Sequence, residues 1–434
     1  MMSSSDILEQ FRRDHARLHN TDINLTLRQS YRELLVKLGN PQDKIPAVFH
    51  VAGTNGKGST CSFLRAMLEA AGYKVHVYTS PHLVTFHERI RLAGELISEK
   101  LLVDLLTKCV ELSTPGTISY FEAATAVAFA AFAQVPADFT ILETGLGGRL
   151  DATNIVEKPL ATLITRLSYD HRDYLGNSLT AIAGEKAGIM RPFVPCFSAP
   201  QPDQESHNVL ATKAFSLKAP FSIGGIDWYV TPSSQNLLYR DKLRELQLPL
   251  PALVGPHQTL NAGLAIAALS ALPIPLDATF IAKGLRQVEW PARLQRLQQG
   301  RLLPLVPPGT DLWLDGGHND SAGEVLAQQA CAWCNEDSST HLPLHIIIAM
   351  LSTKSPQEFL TPLIPFIDSV TTLNIPHEPL SFSASDLAQR IQTIGIKNVR
   401  DAPDLKNALQ NVPAHHRVLI CGSLYLAGHV LACN

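Results

Sequence analysis

Residues 51–60 read VAGTNGKGST, a lysine set among glycines and followed by a hydroxyl residue. Glycines let a backbone approach an anion closely, N–H groups at a helix start point toward it, and a lysine adds a point charge. That combination suits the β- and γ-phosphates of a nucleotide, with Lys57 as the cation and Ser59 as a hydroxyl for Mg²⁺. The spacing is not the common G-x-x-x-x-G-K-[ST]: Gly53 lies three positions before Gly56, and Gly58 separates Lys57 from Ser59. A plain strand-to-helix turn would account for the glycines but not for a lysine between two of them. A second glycine-rich stretch, GLGGRL at 145–150, fails the dinucleotide spacing because Leu150 stands where the third glycine belongs. A third group, Cys331 and Cys334 with His341 and His345 downstream, could be drawn as zinc ligands. The cysteines fall in AGEVLAQQACAWC, whose helical periodicity makes them packing residues, and no zinc site is expected there.

The elements that must hold these residues follow from the pattern around them. IPAVFHVAG (45–53) is a β-branched apolar run ending in glycine and predicts a buried strand; STCSFLRAMLEAAG predicts a helix stopped by Gly72, and YKVHVYTS (73–80) another strand. Together they make one βαβ unit. ADFTILETG (137–145) and LATLITRLS (160–168) are further strands, each running into a polar loop, as parallel strands feeding a site at their carboxyl ends should. The first forty residues read as helical. Residues 200–255 read as short strands and turns, and 255–272 as a helix. EWPARLQRLQQGRLLPLVPPG loses periodicity and marks a boundary near 293–310, beyond which strands (DLWLDGG, HIIIAML, SVTTLNIP, HRVLICGS) alternate with helices. No internal repeat is present.

The whole chain narrows the classes further. At 434 residues it predicts two or three domains, and 45% hydrophobic with 17% charged residues suits a packed globular protein. A net charge of −3 offers no basic footprint for nucleic acid. The N-terminal segment carries charges where a signal peptide needs an apolar core, and the longest apolar run, AATAVAFAAFA at 123–133, is too short to cross a membrane. Seven cysteines do not form a disulfide framework. A cytoplasmic protein with neither nucleic-acid nor membrane partners is expected.

The G-T-N-G-K-G-S spacing resembles the loop of the Mur ligase superfamily and, more narrowly, of the folylpolyglutamate synthase/dihydrofolate synthase family. YTSPHL (78–83), FHERIRLAGELIS (86–98), SYFEAAT (119–125), ETGLGGRLDATNI (143–155), DHRDYLGNSLTAIAGEKAGIM (170–190), WPARLQRL (290–297), LDGGHN (314–319) and CGSLYLAGH (421–429) resemble that family's segments, in its order. The resemblance implies an α/β chain: an N-terminal P-loop ATPase-type parallel-sheet domain over 1–295 and a smaller C-terminal Rossmann-like α/β domain over 296–434. It implies an ATP-dependent ligase that joins L-glutamate to dihydropteroate, and to folates, through an acyl phosphate.

Site residues carry over position by position. Gly53, Asn55, Gly56, Lys57, Gly58 and Ser59 would cradle ATP, with Asn261, Arg293 and Asp315 as further nucleotide contacts. Ser80, Glu143 and His171, each at or just past a strand end, would bind Mg²⁺, two ions being expected. Lys186 matches a lysine that is carbamylated in similar proteins, and His318 one placed near the phosphate and the incoming amino acid. With Asp315 and His318 in the second domain, domain closure would complete the site. Asn24, Leu25 and Thr26, Tyr120, Phe121 and Glu122, and Leu150, Asp151 and Ala152 match pterin-binding regions. Three positions depart from the family pattern. Asn24 stands where Asp is usual, Arg166 where a small residue or proline is usual, and Asp320 where proline follows His-Asn. Open alternatives are a single-activity enzyme of the pair, another Mur-type amide ligase, and a nucleotide-driven switch without ligase chemistry. A monomer is expected.

Overall fold

The computed structural model describes residues 3–19, 29–335 and 342–434. The chain forms two compact units. The first runs to Ala252 and resumes over Thr259–Val288; the second comprises Leu253–Gln258 and Glu289–Asn434. The segment WPARLQ, with Arg293, thus goes with the second unit.

The first unit is built on an eight-stranded sheet. Its strands are β1 (Ala47–Ala52), β2 (Val75–Tyr78), β3 (Ile90–Leu92), β4 (Glu95–Leu96), β5 (Phe139–Glu143), β6 (Ala161–Ile164), β7 (Cys196–Ser198) and β8 (Phe221–Ile223). They lie in the order β4-β3-β2-β5-β1-β6-β7-β8, all in one direction except β3, which pairs antiparallel with both β2 and β4. β1 pairs with both β5 and β6, so the chain steps from β1 to one side and later crosses to the other. That is a topological switch point, where a crevice opens beyond the strand ends. β1, β2, β5 and β6 are almost wholly buried, which is why they read as continuous apolar runs and not as alternating strands.

The helices Ser4–His19, Gln29–Lys37, Glu99–Leu112 and Tyr120–Phe132 share an apolar cluster with Tyr78, Ile90 and Leu142. The last of them is the AATAVAFAAFA run, apolar all round because it is buried all round. Among the described residues no helix is long and apolar enough to cross a membrane. β9 (Trp228–Pro232), β10 (Asn236–Asp241) and β11 (Glu245–Pro249) form a separate antiparallel sheet. Residues 200–255 are not only short strands and turns: Gln204–Ser216 is a helix capped by Asp203. It buries only Ser206, Leu210 and Ala214, one residue per turn, which leaves little periodic signal.

The second unit holds a six-stranded sheet. Its strands are β12 (Gln295–Arg296), β13 (Asp311–Leu314), β14 (Leu344–Ile348), β15 (Ile367–Thr372), β16 (Val399–Asp401) and β17 (Arg417–Cys421), in the order β12-β13-β17-β14-β15-β16. Only β12 is antiparallel. Helices Asp320–Cys334, Ala384–Thr393 and Leu424–Cys433 accompany it. Cys331 and Cys334 do lie on a helix, but both face solvent and neither packs; Trp333 between them is the buried residue. His345 is buried on β14 against Ser369 Oγ at 2.7 Å and Thr371 Oγ1 at 3.0 Å, and His341 lies outside the described residues.

Candidate functional site

The glycine-rich loop leaves the carboxyl end of β1 and enters the helix Lys57–Ala70, with Gly56 in the left-handed region at φ 88° as its N-cap. Gly56 could not be any other residue without collision, since a Cβ there would lie 2.3 Å from Asn261 Oδ1. The same crowding shows that Asn261 and the loop are brought together. A Cβ on Gly53 would fall 1.8 Å from Thr165 Oγ1, a buried hydroxyl without a hydrogen-bond partner among the described residues. Thr54 and Asn55 are tied to the loop after β6: their N–H groups donate to Arg166 O, and Asn55 Nδ2 donates to Ser168 Oγ at 3.1 Å. Arg166 itself points to solvent, so the departure there spends only its backbone on the site. Ser168 was not among the expected residues; its one sequence signal is a hydroxyl just past a strand end.

Two lysines converge on this loop. Lys57 Nζ donates to Gly53 O and Thr54 O, both at 3.2 Å, and Lys186 Nζ donates to the same Gly53 O at 2.7 Å. Lys186 is not the solvated surface lysine that its helix suggests, being only 4% exposed. Burial, and then the neighbouring charge of Lys57, push its pKa down to about 7. Ser59 is buried in the helix's first turn.

Of the expected metal ligands, Ser80 and Glu143 are brought together at the ends of β2 and β5, with Ser80 N–H donating to Glu143 Oε2 at 3.3 Å. Glu143 is buried, as a carboxylate meant for a cation would be. His171 follows β6, left-handed at φ 50° and half exposed, and its Nε2 lies 3.9 Å from Asp170 Oδ2. Among the described residues no group of three or more His, Cys, Asp or Glu side chains converges. A buried carboxylate beside a serine at the ends of two neighbouring strands is nonetheless the kind of oxygen donor pair that Mg²⁺ takes.

Phe121 and the turn 145–152 also meet. A Cβ on Gly145 would lie 2.4 Å from Phe121 Cζ, so the turn's first glycine makes room for the ring. Glu122 forms a capping box with Ser119, whose N–H it accepts at 2.8 Å, and so starts the helix Tyr120–Phe132. Tyr120 lies under the guanidinium groups of Arg12, at 5.2 Å, and Arg89, at 5.6 Å. Asp151 spends its carboxylate on its own turn, accepting from Gly145 N and Leu146 N with one oxygen and from Thr153 with the other. Ala152 O accepts from the buried Tyr31 hydroxyl at 3.2 Å, and Leu150 is half-buried. Asn24, Leu25 and Thr26 lie outside the described residues.

In the second unit Asp315 ends β13 and clamps two loops, accepting Leu294 N at 2.8 Å and Gly317 N at 2.6 Å. Burial raises its pKa against the pull of the nearby Arg293. The Arg293 guanidinium crosses beside Gly316, where a Cβ would lie 3.0 Å from it. His318 Nδ1 lies 3.0 Å from Gly316 O; a carbonyl only accepts, so the hydrogen is on Nδ1. Asn319 caps the helix that follows, and Asp320 takes its first position, where a carboxylate favours the helix dipole as the proline usual there favours its geometry.

Along nearly its whole length the chain is similar to known proteins. Residues 51–269 match the Mur ligase middle domain, and residues 301–433 match the dihydrofolate synthetase C-terminal domain. The chain is 34% identical to the dihydrofolate synthase/folylpolyglutamate synthase of Bacillus subtilis, over 92% of this chain and 93% of that one. It is 33% identical to that of Escherichia coli, over 89% and 86%. The structure of E. coli FolC in complex with DHPP and ADP covers 99% of this chain, itself covered to 97%, with a TM-score of 0.85 at 30% identity. A Yersinia pestis bifunctional enzyme complexed with AMPPNP and Mn has a TM-score of 0.84 at 29% identity, covering 100% and 99%. On these matches the chain belongs to the dihydrofolate synthase/folylpolyglutamate synthase family of the Mur ligase superfamily.

Proposed function

We propose that this chain is an ATP-dependent ligase that joins L-glutamate to dihydropteroate, giving dihydrofolate, and to the glutamyl end of folates. The observation that carries the reading is the convergence of Lys57 and buried Lys186 on one carbonyl of a loop that faces the strand ends with Glu143. Lys57 brings a positive charge to that loop and lowers the pKa of Lys186 beside it, a setting that favours a bound polyanion.

A carboxylate is a poor electrophile. Its oxygen attacks the γ-phosphorus of ATP, the bond to the β-phosphate oxygen breaks, and ADP leaves with an acyl phosphate formed. The glutamate amine then attacks the acyl carbon, inorganic phosphate departs, and the amine loses a proton. Gly53, Asn55, Gly56, Gly58 and Ser59 would line the phosphates, Lys57 would carry the charge developing on the γ-phosphoryl group, and Asn261 would border the nucleotide. Ser80, Glu143 and His171 would hold Mg²⁺, which supplies charge neutralisation among the phosphates. From the second unit, Arg293 and Asp315 are assigned to the nucleotide and His318 to the amino acid. Tyr120–Glu122 and Leu150–Ala152 are assigned to the pterin-bearing acid, Asp151 acting through the shape of its turn. A pKa near 7 gives Lys186 a large share of neutral amine at neutral pH, able to add CO₂ as a carbamate with loss of a proton. The resulting anion would order the metal ligands.

The test is ADP release with glutamate and Mg·ATP, supplying either 7,8-dihydropteroate or tetrahydrofolate, with products weighed by mass spectrometry. One added glutamate on each acceptor is the expected result. Turnover with one acceptor would restrict the chain to that step. ADP formed without regard to glutamate or acceptor would overturn the ligase reading in favour of a nucleotide switch. The carbamate predicts an added CO₂ mass on Lys186 that acid removes.

A further inference from the structure

His50 stands three residues before Gly53 in β1, wholly buried, with Leu142 and Thr162 as its register partners on β5 and β6. Nothing in the chemistry above uses it. Its Nδ1 is buried without a partner among the described residues, a costly state for a ring nitrogen. What the ring does make is one bond. Nε2 lies 2.8 Å from Thr153 Oγ1, and that hydroxyl lies 2.5 Å from Asp151 Oδ1. The carboxylate takes the hydroxyl hydrogen, so the hydroxyl oxygen accepts from the ring and His50 carries its hydrogen on Nε2. Thr153 N, at 2.9 Å, Gly145 N, at 2.9 Å, and Leu146 N, at 3.0 Å, donate to the same carboxylate. With the hydroxyl these are four donors for a group with about four acceptor sites. Asp151 is therefore saturated, and its rotamer is dictated by what holds Thr153.

We propose that His50 and Thr153 are positioning residues for the acyl-acceptor substrate, fixing Asp151 and through it the turn 145–152 against which the pterin-bearing acid lies. The proposal rests on the ligase reading. It makes one strand carry both substrates' loops: β1 runs into the nucleotide loop at Gly53, and from its middle a buried hydrogen-bonded chain reaches the amides that open the acceptor's turn. Phe121 packs on Gly145 at one end of that turn, and Tyr31 holds Ala152 O at the other. Burial keeps the ring neutral, its pKa pushed down to about 3, so the Nε2 hydrogen is a fixed part of the chain.

Thr153→Val removes the hydroxyl at nearly constant volume, Thr153→Ser returns it, and His50→Leu removes the ring donor. Steady-state kinetics would separate KM for dihydropteroate or tetrahydrofolate, KM for ATP, and kcat. Amide hydrogen exchange would follow Gly145 and Leu146 against the amides of β1. The Val and Leu variants are expected to raise the acceptor KM by about five- to tenfold, the worth of one buried hydrogen bond, with the ATP KM unchanged. The Ser variant should restore it, and exchange at Gly145 and Leu146 should quicken while that of β1 holds. An unchanged acceptor KM, a parallel rise in the ATP KM, or failure of Ser to restore would each overturn the proposal. If the wild type turns over neither acceptor, the ligase reading falls by itself. Exchange at the two amides then decides the remainder: unchanged in the Val variant, it refutes the positioning role; quickened there and restored by Ser, it supports it.

Discussion

Replacing Lys186 by methionine in CO₂-free buffer should stabilise the protein in mildly acidic solution while abolishing ligase turnover. In the unfolded chain the ammonium titrates near 10.5; in the folded chain it does so at about 7, chiefly because it is buried. That difference corresponds to roughly 5 kcal/mol of burial cost. The hydrogen bond to Gly53 O, which the amine makes in either protonation state, offsets about 1 kcal/mol. Below about pH 7 both states are protonated and the full cost falls on the native protein. Between there and 10.5 the unfolded chain binds the extra proton, so wild-type stability rises with pH, and above 10.5 the cost is gone. Methionine removes the cost and the bond together. The variant should exceed wild type by roughly 4 kcal/mol at pH 6, and the gap should close near pH 10. Urea unfolding followed by tryptophan fluorescence at several pH values would measure it. A stability difference that does not change with pH would refute the argument, because the cost would then not be that of a buried charge.

Three further outcomes follow from the same site. Lys57→Ala should leave the melting temperature near wild type and lower kcat by about 10²–10³-fold, the loss of one preorganised cation at the transferred group, read by ADP release. Gly56→Ala combines a left-handed backbone with a Cβ 2.3 Å from Asn261 Oδ1, and should cost at least about 1–3 kcal/mol by thermal or urea unfolding and weaken ATP binding. Glu143→Gln should raise the Mg²⁺ concentration needed for half-maximal turnover by about tenfold or more, measured by metal titration at saturating ATP.

The strand ends that carry the site could be read from the sequence because β1, β2, β5 and β6 are buried on both faces and so appear as unbroken apolar runs closed by glycine or polar residues. The glycines of the loop after β1 likewise mark the turn from strand to helix, with Gly56 in the left-handed region. What could not be read is where polar atoms spend their bonds. Lys186 sits between Glu185 and Ala187 in a short helix, and the acceptor that its buried amine meets is a carbonyl 133 residues earlier in the chain. Asp151 and Asp315 show their carboxylates in sequence, yet both use their oxygens on backbone amides of neighbouring turns. The helix Gln204–Ser216 escaped because a stripe of one buried residue per turn leaves the hydrophobic pattern nearly flat. Cys331 and Cys334 had the right helix and the wrong face, since i,i+3 spacing fixes that two residues share a side and not which side meets the core.

The pair of lysines also sets the proton balance of nucleotide binding. With both ammonium groups within hydrogen-bond distance of Gly53 O, the charge of Lys57 helps to hold the Lys186 pKa down. An anion placed against them favours the charged form of Lys186 and must raise that pKa again. Binding of Mg·ATP near pH 7.5, where the free enzyme's Lys186 is largely neutral, should therefore take up a fraction of a proton. Calorimetry in two buffers of different ionisation enthalpy reads that fraction directly, and in CO₂-free solution the uptake should vanish in Lys186→Met while binding itself persists. Proton release, or an uptake that survives in the methionine variant, would mean that the nucleotide's charge is met by some group other than Lys186. The loop would then owe its cation to Lys57 alone.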